Sequence, residues 1–323
     1  FGISHLIHVM VIGIDMMGGD YAPAEAIKGV KSYLETSSPL PLCLVGDEKQ
    51  LNPLLEAHQI NPALVQLQHA EEVIGMHEHP TKALKEKPNS SIAKGFALLA
   101  KNKIDAFISA GNTGAMLVGT HFSIKPLEGL LRPTISTLIP KRNGQTGLLL
   151  DVGLNADCKP EQLNQFAMMG TVYAKEILGI DNPRTGLINV GEEEGKGNAL
   201  AQATYPLLKE NTAIRFIGNV EGRDVFNDKA DVIVCDGFTG NVILKTAEAM
   251  YDAAMHQNLE KDSFFGRFHF ENYGGTPVLG VNKPVIIGHG ISNAKAFSNM
   301  IALGEKLVAT KFCDIITTNF ANL

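Results

Sequence analysis

Six short loops in this sequence combine glycine with asparagine, aspartate or glutamate, and each follows an apolar stretch of strand length. The loops are DMMGGD at 15–20, SAGNTG at 109–114, DVGLN at 151–155, NVGE at 189–192, GNVEGRD at 218–224 and DGFTGN at 236–241. Such residues let backbone N–H groups and asparagine side chains converge on an anion. One loop of this kind is usually only a tight turn, but six in one chain indicate an anion-binding site.

Lys196 is the cation that best matches such a site. It lies between Gly195 and Gly197, just before a predicted helix start at Asn198. An ammonium group beside a helix N-terminus is a physically sound phosphate cradle. The alternative is that Lys196 only offsets the three glutamates at 192–194 on a solvated loop.

Familiar nucleotide-binding and catalytic motifs do not explain these loops. The stretch around Lys196 lacks the Walker spacing, and Leu200 stands where G-x-G-x-x-G requires glycine or alanine. G-x-S-x-G is absent, and His77 and His79 do not form H-E-x-x-H. The four cysteines are far apart and form no C-x-x-C pair, so a cysteine metal site is not expected. The sequence predicts an anion site without a covalent nucleophile or a visible metal cluster.

Alternating strands and helices must position the loops. Apolar runs predict strands at 9–14, 40–45, 64–67, 105–109, 134–139, 148–152, 185–190, 214–217, 232–235 and 284–287. Helical spacing predicts helices over 21–33, 50–58, 89–101, 161–178, 241–256 and 292–310. Wholly apolar strands that alternate with helices indicate an α/β protein with a largely parallel sheet covered on both faces. Ligands bind outside the carboxyl ends of such strands, where the six loops lie.

Composition excludes several classes of protein. With 323 residues, 45% of them hydrophobic, the chain has a large core, and its net charge of −6 argues against a dedicated nucleic-acid binder. No apolar run approaches the ~18 residues of a membrane-spanning helix, and sparse cysteines fit a reducing cytosol. Residues 1–9 lack the cationic start of a signal peptide and are predicted to be a cloning remnant. A single domain over 10–323, with room for two lobes, is expected.

Seven ordered segments resemble one family, the bacterial phosphate acyltransferases (PlsX). The segments are 14–23, 109–115, 151–170, 189–198, 217–224, 235–245 and 273–280. Members make acyl phosphate from acyl carrier protein thioesters and inorganic phosphate for phospholipid synthesis. The resemblance implies a three-layer α/β/α fold like the isocitrate and isopropylmalate dehydrogenases, a cytoplasmic homodimer and no nicotinamide cofactor.

The chain departs from the family pattern in two places. Met16 and Leu154 stand where the family more often has alanine. The stretch 246–272 is shorter than the family's helical hairpin, which is associated with membrane contact and the dimer edge. The aromatic cluster at 263–270 is either a membrane-facing tip or a core or dimer contact.

Together with the resemblance, the residue types suggest direct attack of phosphate on the thioester. Phosphate is partly dianionic at neutral pH, so a strong base is unnecessary. Lys196 is expected to neutralise phosphate or the oxyanion, and Asn241 to donate its amide. The other expected substrate-binding residues are Asp15, Gly18, Gly19, Asp20, Gly111, Asn112, Thr113, Gly114, Asn155, Lys159, Asn219, Glu221, Arg223, Asp236, Thr239 and Gly240. Expected partners are acyl carrier protein and, downstream, a glycerol-3-phosphate acyltransferase.

Two other functions remain open. A β-decarboxylating NAD-dependent dehydrogenase of the same fold would need metal-binding carboxylates, for which Asp224, Asp228 and Asp231 are available. A noncatalytic scaffold would only recruit carrier protein.

An acidic chain that binds acidic substrates must concentrate its cations locally. Two sequence clusters could do this: Lys82, Lys85, Lys87 and Lys94, and Lys125, Arg132, Lys141 and Arg142. Solvated surface cations are the alternative for both clusters.

Overall fold

The chain alternates strands and helices along its length, and a computed structural model describes residues 9–259 and 264–321. The strands are β1 (Ile12–Asp15), β2 (Leu42–Gly46), β3 (Val65–His69), β4 (Ala106–Ser109), β5 (Thr134–Pro140), β6 (Thr146–Leu150), β7 (Arg184–Asn189), β8 (Arg215–Glu221), β9 (Val232–Val234), β10 (Gly275–Leu279) and β11 (Val285–Gly288). The α-helices are α1 (Ala24–Leu34), α2 (Glu48–Ala57), α3 (Pro80–Glu86), α4 (Ser91–Ala100), α5 (Thr113–Ser123), α6 (Pro160–Glu176), α7 (Ala199–Glu210), α8 (Gly237–His256), α9 (Ala294–Ala309) and α10 (Phe312–Ala321). Residues 1–8 of the predicted cloning remnant lie outside the described part.

The chain divides into two compact units, and the first comprises Phe1–Lys125 and Lys283–Val308. Its sheet has the order β3-β2-β1-β4-β11, and every neighbouring pair is parallel. Strands β1 and β4 are buried along their whole length, as their apolar sequences require. Gly95 lets α4 approach this sheet, because a Cβ there would lie 2.0 Å from the Phe107 ring.

The second unit comprises Pro126–Asn282 and Ala309–Leu323. Its strands follow the order β10-β5-β6-β9-β7-β8. The β10–β5 and β5–β6 pairs are antiparallel, whereas β6–β9, β9–β7 and β7–β8 are parallel. The predicted α/β class with a largely parallel sheet is therefore confirmed, with an antiparallel addition that the sequence patterns did not indicate.

Lys141 lies in a buried ion-pair network of the second unit. Its side chain is fully buried and pairs with Asp231, which also accepts hydrogen bonds from the Arg184 side chain and backbone. The expectation that Lys141 belongs to a surface cluster for an acidic partner is therefore wrong. Its ammonium is needed to satisfy a buried carboxylate.

The stretch 246–272 holds the end of α8 and two short 3-10 turns, Phe265–Phe268 and Phe270–Asn272. Residues 260–263 of the predicted hairpin lie outside the described part of the chain. The ring centroid of Phe268 lies 5.1 Å from that of Phe264 and 5.0 Å from that of Phe226. These aromatic rings therefore pack against other side chains of the second unit. Among the helices that the structure describes, none combines the length and apolarity that crossing a bilayer requires.

Candidate functional site

In the first unit, the loops after β1 and β4 are tied together by Asp15. Its carboxylate accepts hydrogen bonds from Ser109 Oγ at 2.6 Å and from the Met17 backbone at 2.9 Å. Ser109 Oγ in turn accepts from the Gly111 backbone at 2.9 Å. Asp15 is fully buried, and burial raises the pKa of its carboxyl group against the opposing effect of the Ser109 hydrogen bond. Asp15 therefore holds the two loops together through hydrogen bonds.

Gly18 and Gly111 come so close that only glycine fits at position 18. A Cβ on Gly18 would lie 2.6 Å from the Gly111 nitrogen. Gly19 follows with a φ of +102°, a conformation that favours glycine. The next residue, Asp20, is exposed, and its backbone donates to the Gly290 carbonyl at 2.7 Å. The glycines predicted from the sequence thus allow two loops of adjacent strands to meet.

Asn112 has a structural role that differs from the predicted one. Its Nδ2 donates to the carbonyls of Gly75, Met76 and Glu78 at 2.9, 3.2 and 3.1 Å. Its Oδ1 caps α5 by accepting from the Ala115 backbone at 2.9 Å. Because the side chain is buried and its polar atoms are occupied, the expectation that this amide donates to phosphate is not supported.

Thr113 and Gly114 begin α5 beside Asn112. Thr113 is exposed, so its hydroxyl is accessible at the helix N-terminus. Gly114 allows α3 to approach, because a Cβ there would lie 2.3 Å from Cγ of Pro80.

In the second unit, the loop after β6 is organised by Asp151. Its Oδ2 accepts from the Asn155 backbone at 2.6 Å and from Asn155 Nδ2 at 2.8 Å. The Asn155 amide also donates to the Pro133 carbonyl at 2.9 Å, so this buried side chain is committed to the loop. Lys159 ends the loop as the exposed residue before α6, and its backbone donates to Gln162 Oε1.

Helix α8 begins directly against this loop. Asp236 caps the helix by accepting from the backbone and the hydroxyl of Thr239, both at 2.9 Å. Gly240 leaves no room for a side chain, because a Cβ would lie 1.9 Å from the Asp151 carbonyl oxygen. Asn241 is exposed, and its Nδ2 donates to the Val152 carbonyl at 3.3 Å. The amide nitrogen has a second hydrogen to offer, so Asn241 retains a donor at the loop.

Lys196 lies on the exposed loop between β7 and α7. Within the described part of the chain, its ammonium forms no hydrogen bond or ion pair. The backbone carbonyl of Lys196 accepts from Asn189 Nδ2 at 3.1 Å, which fixes the loop beneath the side chain. Asn198 caps α7 by accepting from the Ala201 backbone, as the sequence predicts. Lys196 thus precedes a capped helix start.

Asn219 and Glu221 lie on β8 beside the loop that carries Lys196. Asn219 Nδ2 donates to the Glu193 carbonyl at 2.8 Å, and its buried Oδ1 has no hydrogen-bond partner among the described residues. Glu221 pairs with Arg223, which is largely exposed. Asn219 therefore anchors the loop, and Arg223 offers a cation at the same edge of the sheet.

Three carboxylates meet at this edge, and two cations of the chain, Lys229 and Arg223, pair with them. Carboxylate oxygens of Glu192, Glu221 and Asp224 lie within 4.8 Å of one another. Lys229 contacts Glu192 at 2.6 Å and Asp224 at 3.2 Å. Although burial opposes it, these contacts raise the pKa of Lys229. Lys229 and Arg223 therefore offset most of the negative charge of this group.

The carboxylate trio required by the dehydrogenase alternative is not assembled. Asp228 and Asp231 pair with Arg184, whereas Asp224 pairs with Lys229. The structure therefore gives no support to a metal site built from Asp224, Asp228 and Asp231.

In each unit the expected residues lie at or just after the carboxyl ends of parallel strands. In the second unit the Asp151 loop and α8 follow the adjacent strands β6 and β9, and the Lys196 loop follows β7. The sequence patterns did not indicate the roles of Ser109 and Lys229 or the organising role of Asp151. Ser109 and Asp151 belong to the glycine-rich motifs, but their residue types do not distinguish a residue that organises a loop from one that contacts a ligand.

Solved structures place the chain in a known class of α/β folds. A phosphotransacetylase from Streptococcus pyogenes has a TM-score of 0.64 at 18% identity, over 94% of both chains. A putative 4-hydroxythreonine-4-phosphate dehydrogenase from Salmonella typhimurium has a TM-score of 0.51 at 12% identity, over 93% of this chain and 100% of its own. At these identities the likeness establishes the fold alone.

Sequence comparison identifies the family of the chain. The family described as "Fatty acid synthesis protein" matches residues 10–315. Proteins named phosphate acyltransferase are 45% identical in Dictyoglomus turgidum and 43% identical in Aquifex aeolicus. The matches cover 93% and 97% of this chain and 94% and 97% of those proteins. The chain belongs to this family, and the resemblance predicted from its motifs is confirmed.

Proposed function

We propose that the protein transfers a fatty acyl group from an acyl carrier protein thioester to inorganic phosphate. Relatives with more than 40% identity over most of the chain carry the name phosphate acyltransferase, which supports acyl transfer to phosphate. The match to a fatty acid synthesis family supports a fatty acyl donor. The acyl phosphate would serve phospholipid synthesis.

The observation that carries the proposal is the ammonium of Lys196, which has no partner among the residues that the structure describes. Two of the three adjacent glutamates pair elsewhere, Glu192 with Lys229 and Glu194 with Lys209. Glu193 Oε2 and the Lys196 side chain both lie against Gly191, but the Lys196 ammonium forms no ion pair within the described residues, which argues against the alternative that it only offsets these glutamates. An exposed ammonium before a capped helix is suited to hold phosphate.

In the proposed reaction, a phosphate oxygen attacks the thioester carbonyl carbon. A carbon–oxygen bond forms, the carbon–sulfur bond breaks, and the electron pair leaves on the sulfur as a thiolate. A thiol with a pKa of about 8–9 is a good leaving group, so no covalent enzyme intermediate is needed. Lys196 neutralises phosphate, and the Asn241 amide with the α8 N-terminus stabilises the oxyanion.

Apolar surface for the acyl group lies beside Asn241. Phe238 and Val242 are 69% and 50% exposed in the first turns of α8. An apolar chain placed there would remove their surface from water.

The decisive experiment is an acyl phosphate assay with purified protein, palmitoyl acyl carrier protein and inorganic phosphate. Hydroxylamine traps acyl phosphate as the hydroxamate, and a reaction without phosphate corrects for direct attack on the thioester. Phosphate-dependent hydroxamate is the expected result. Carrier binding without hydroxamate would favour the scaffold, and NAD-dependent oxidation of a hydroxy acid would favour the dehydrogenase.

A homodimer, peripheral membrane contact and transfer of the product to a glycerol-3-phosphate acyltransferase remain part of the proposal. They rest on the family resemblance alone. The roles of the loop residues in both units also remain predictions, except for side chains whose polar atoms already form hydrogen bonds within the loops.

A further inference from the structure

Helices α3, α4 and α5 of the first unit enclose an apolar groove of about 330 Å³. Leu84, Phe96 and Val118 line it, together with Phe122. Phe122 is 75% exposed, although it is a large apolar side chain. We call this surface the α3–α5 groove. Exposed aromatic side chains beside an apolar depression are typical of surfaces that bind a partner.

Lys85 lies in the lining of the α3–α5 groove, and Lys82 precedes it by three residues on the same helix. In the first predicted lysine cluster, Lys87 forms an ion pair with Glu78 at 2.6 Å, and Lys94 Nζ donates a hydrogen bond to the His69 carbonyl at 2.8 Å. Lys82 and Lys85 remain exposed on α3. Lys85 has no ion-pair partner among the described residues, while Lys82 lies outside the lining and 3.9 Å from the exposed Glu86.

The groove shares a helix with one of the glycine-rich loops. Helix α5 begins at Thr113 in that loop and carries Phe122 nine residues later, a distance of about 14 Å along the helix axis. A partner seated on the groove would therefore lie one short helix away from the loop. A flexible arm on that partner could extend along the helix towards the loop.

We propose that the α3–α5 groove is the docking surface for the acyl carrier protein. The proposal rests on the proposed function, which supplies an acidic protein as acyl donor. Lys82 and Lys85 match its negative charge and speed the encounter, and Phe122 anchors it by burying apolar surface. The acyl chain itself is a poorer occupant, because a cation forms part of the wall and the exposed Phe122 leaves the depression open to water.

The test compares two double charge reversals in the first unit. Lys82→Glu/Lys85→Glu changes the groove, whereas Lys31→Glu/Lys49→Glu makes the same change in net charge on α1 and α2. Lys31 is a matched control for Lys82, since it also lies within 4.0 Å of a glutamate four residues later. Phe122→Ser tests the anchor and should not unfold the protein, because the side chain is exposed.

Affinity is measured by titrating fluorescently labelled holo acyl carrier protein at low and high salt. The Lys82→Glu/Lys85→Glu variant should bind at least about tenfold more weakly and lose most of its salt dependence. Phe122→Ser should weaken binding by about tenfold at both salt concentrations. The control variant should bind within about twofold of the wild type. Wild-type affinity in both groove variants would overturn the proposal.

Kinetics distinguish docking of the carrier protein from binding of its acyl chain in the groove. Docking predicts a higher KM for carrier protein with kcat nearly unchanged, and the same fold-change with decanoyl and palmitoyl carriers. A loss that grows with chain length would assign the groove to the acyl chain and overturn the docking proposal. If wild-type protein binds the carrier at this surface but forms no acyl phosphate, the proposed function fails while the docking surface stands.

Discussion

Lys229 Nζ lies 2.6 Å from Glu192 Oε1, so the first of the three glutamates before Lys196 is paired with a residue from another part of the chain. The third, Glu194, pairs with Lys209 at 2.9 Å. Two of the loop's three glutamates are thus paired without Lys196. Because Lys196 forms no ion pair within the described residues, it can be removed at little cost to the fold, which makes its function directly testable.

Replacing Lys196 with glutamine should abolish most of the activity without destabilising the protein. Loss of the ammonium removes charge stabilisation of phosphate and of the oxyanion. We therefore expect kcat/KM to fall by at least about 100-fold. The melting temperature should stay unchanged, since no ion pair is broken. Steady-state hydroxamate assays and thermal unfolding measure the two quantities.

Lys209→Gln is the matched control for Lys196→Gln. It removes an exposed lysine that pairs with Glu194, so activity should stay within about twofold and the melting temperature should stay close to that of the wild type. Full activity in Lys196→Gln, or equal losses in both variants, would show that Lys196 has no specific role.

Asn241→Asp tests the hydrogen-bond donor of Asn241 while the size of the side chain is kept. Aspartate keeps the size of Asn241 but replaces its N–H donors with a negative charge beside the developing oxyanion. We expect kcat to fall by at least about 100-fold. A variant with wild-type kcat would exclude Asn241 as an oxyanion donor.

Val242→Asn, one position along on the exposed face of α8, should keep the phosphate KM and raise only the KM for long acyl donors.

The sequence predicted most of the sheet because wholly apolar strands leave a simple pattern. It missed α5, whose sequence TGAMLVGTHFS is apolar on several faces and has no clear helical period. It also missed β10, which is short and contains Pro277. Helix α8 begins at Gly237, four residues earlier than predicted, because Asp236 caps it and the glycines that appear to break the helix fit against the Asp151 loop.

The candidate site was harder to predict than the fold. Glycine spacing correctly indicated loops that approach each other closely, as Gly18 and Gly111 do. Residue types could not reveal which polar side chains are occupied by their own loops. Lys141 illustrates this limit, since Arg142 and Asn143 directly after it are exposed, yet its ammonium is buried and pairs with the distant Asp231. Such pairings depend on long-range packing, which local patterns do not encode.

Asn112→Ala should lower stability more than it affects phosphate binding. The side chain makes three hydrogen bonds to the loop at 75–78 and caps α5, so its removal should cost about 2–4 kcal/mol. Urea unfolding measures the loss. The exposed neighbour Thr113 gives the contrast: Thr113→Ala should leave stability within about 0.5 kcal/mol and raise the KM for phosphate. An unchanged unfolding midpoint in Asn112→Ala would contradict the structural role.

Asp231→Asn should destabilise the protein in a pH-dependent manner. Although burial opposes it, hydrogen bonds from Arg184 and Lys141 hold the pKa of Asp231 well below its usual range. A lowered pKa in the folded protein stabilises it above the unfolded pKa of about 3.9, and the stabilisation is lost as the pH falls towards the folded pKa. The variant should lose about 3–5 kcal/mol at pH 7, because a buried cation loses its partner.

The loss should be the same at pH 5 and smaller at pH 3.5, where the wild-type stabilisation is itself declining. Urea titrations at the three pH values provide the measurement, with Asp228→Asn as the control. Asp228 also pairs with Arg184, but its side chain is 55% exposed, so its replacement should cost less than about 1 kcal/mol. If the two variants behaved alike, or if the loss from Asp231→Asn did not shrink at pH 3.5, the buried pair with Lys141 would not be the source of the stabilisation.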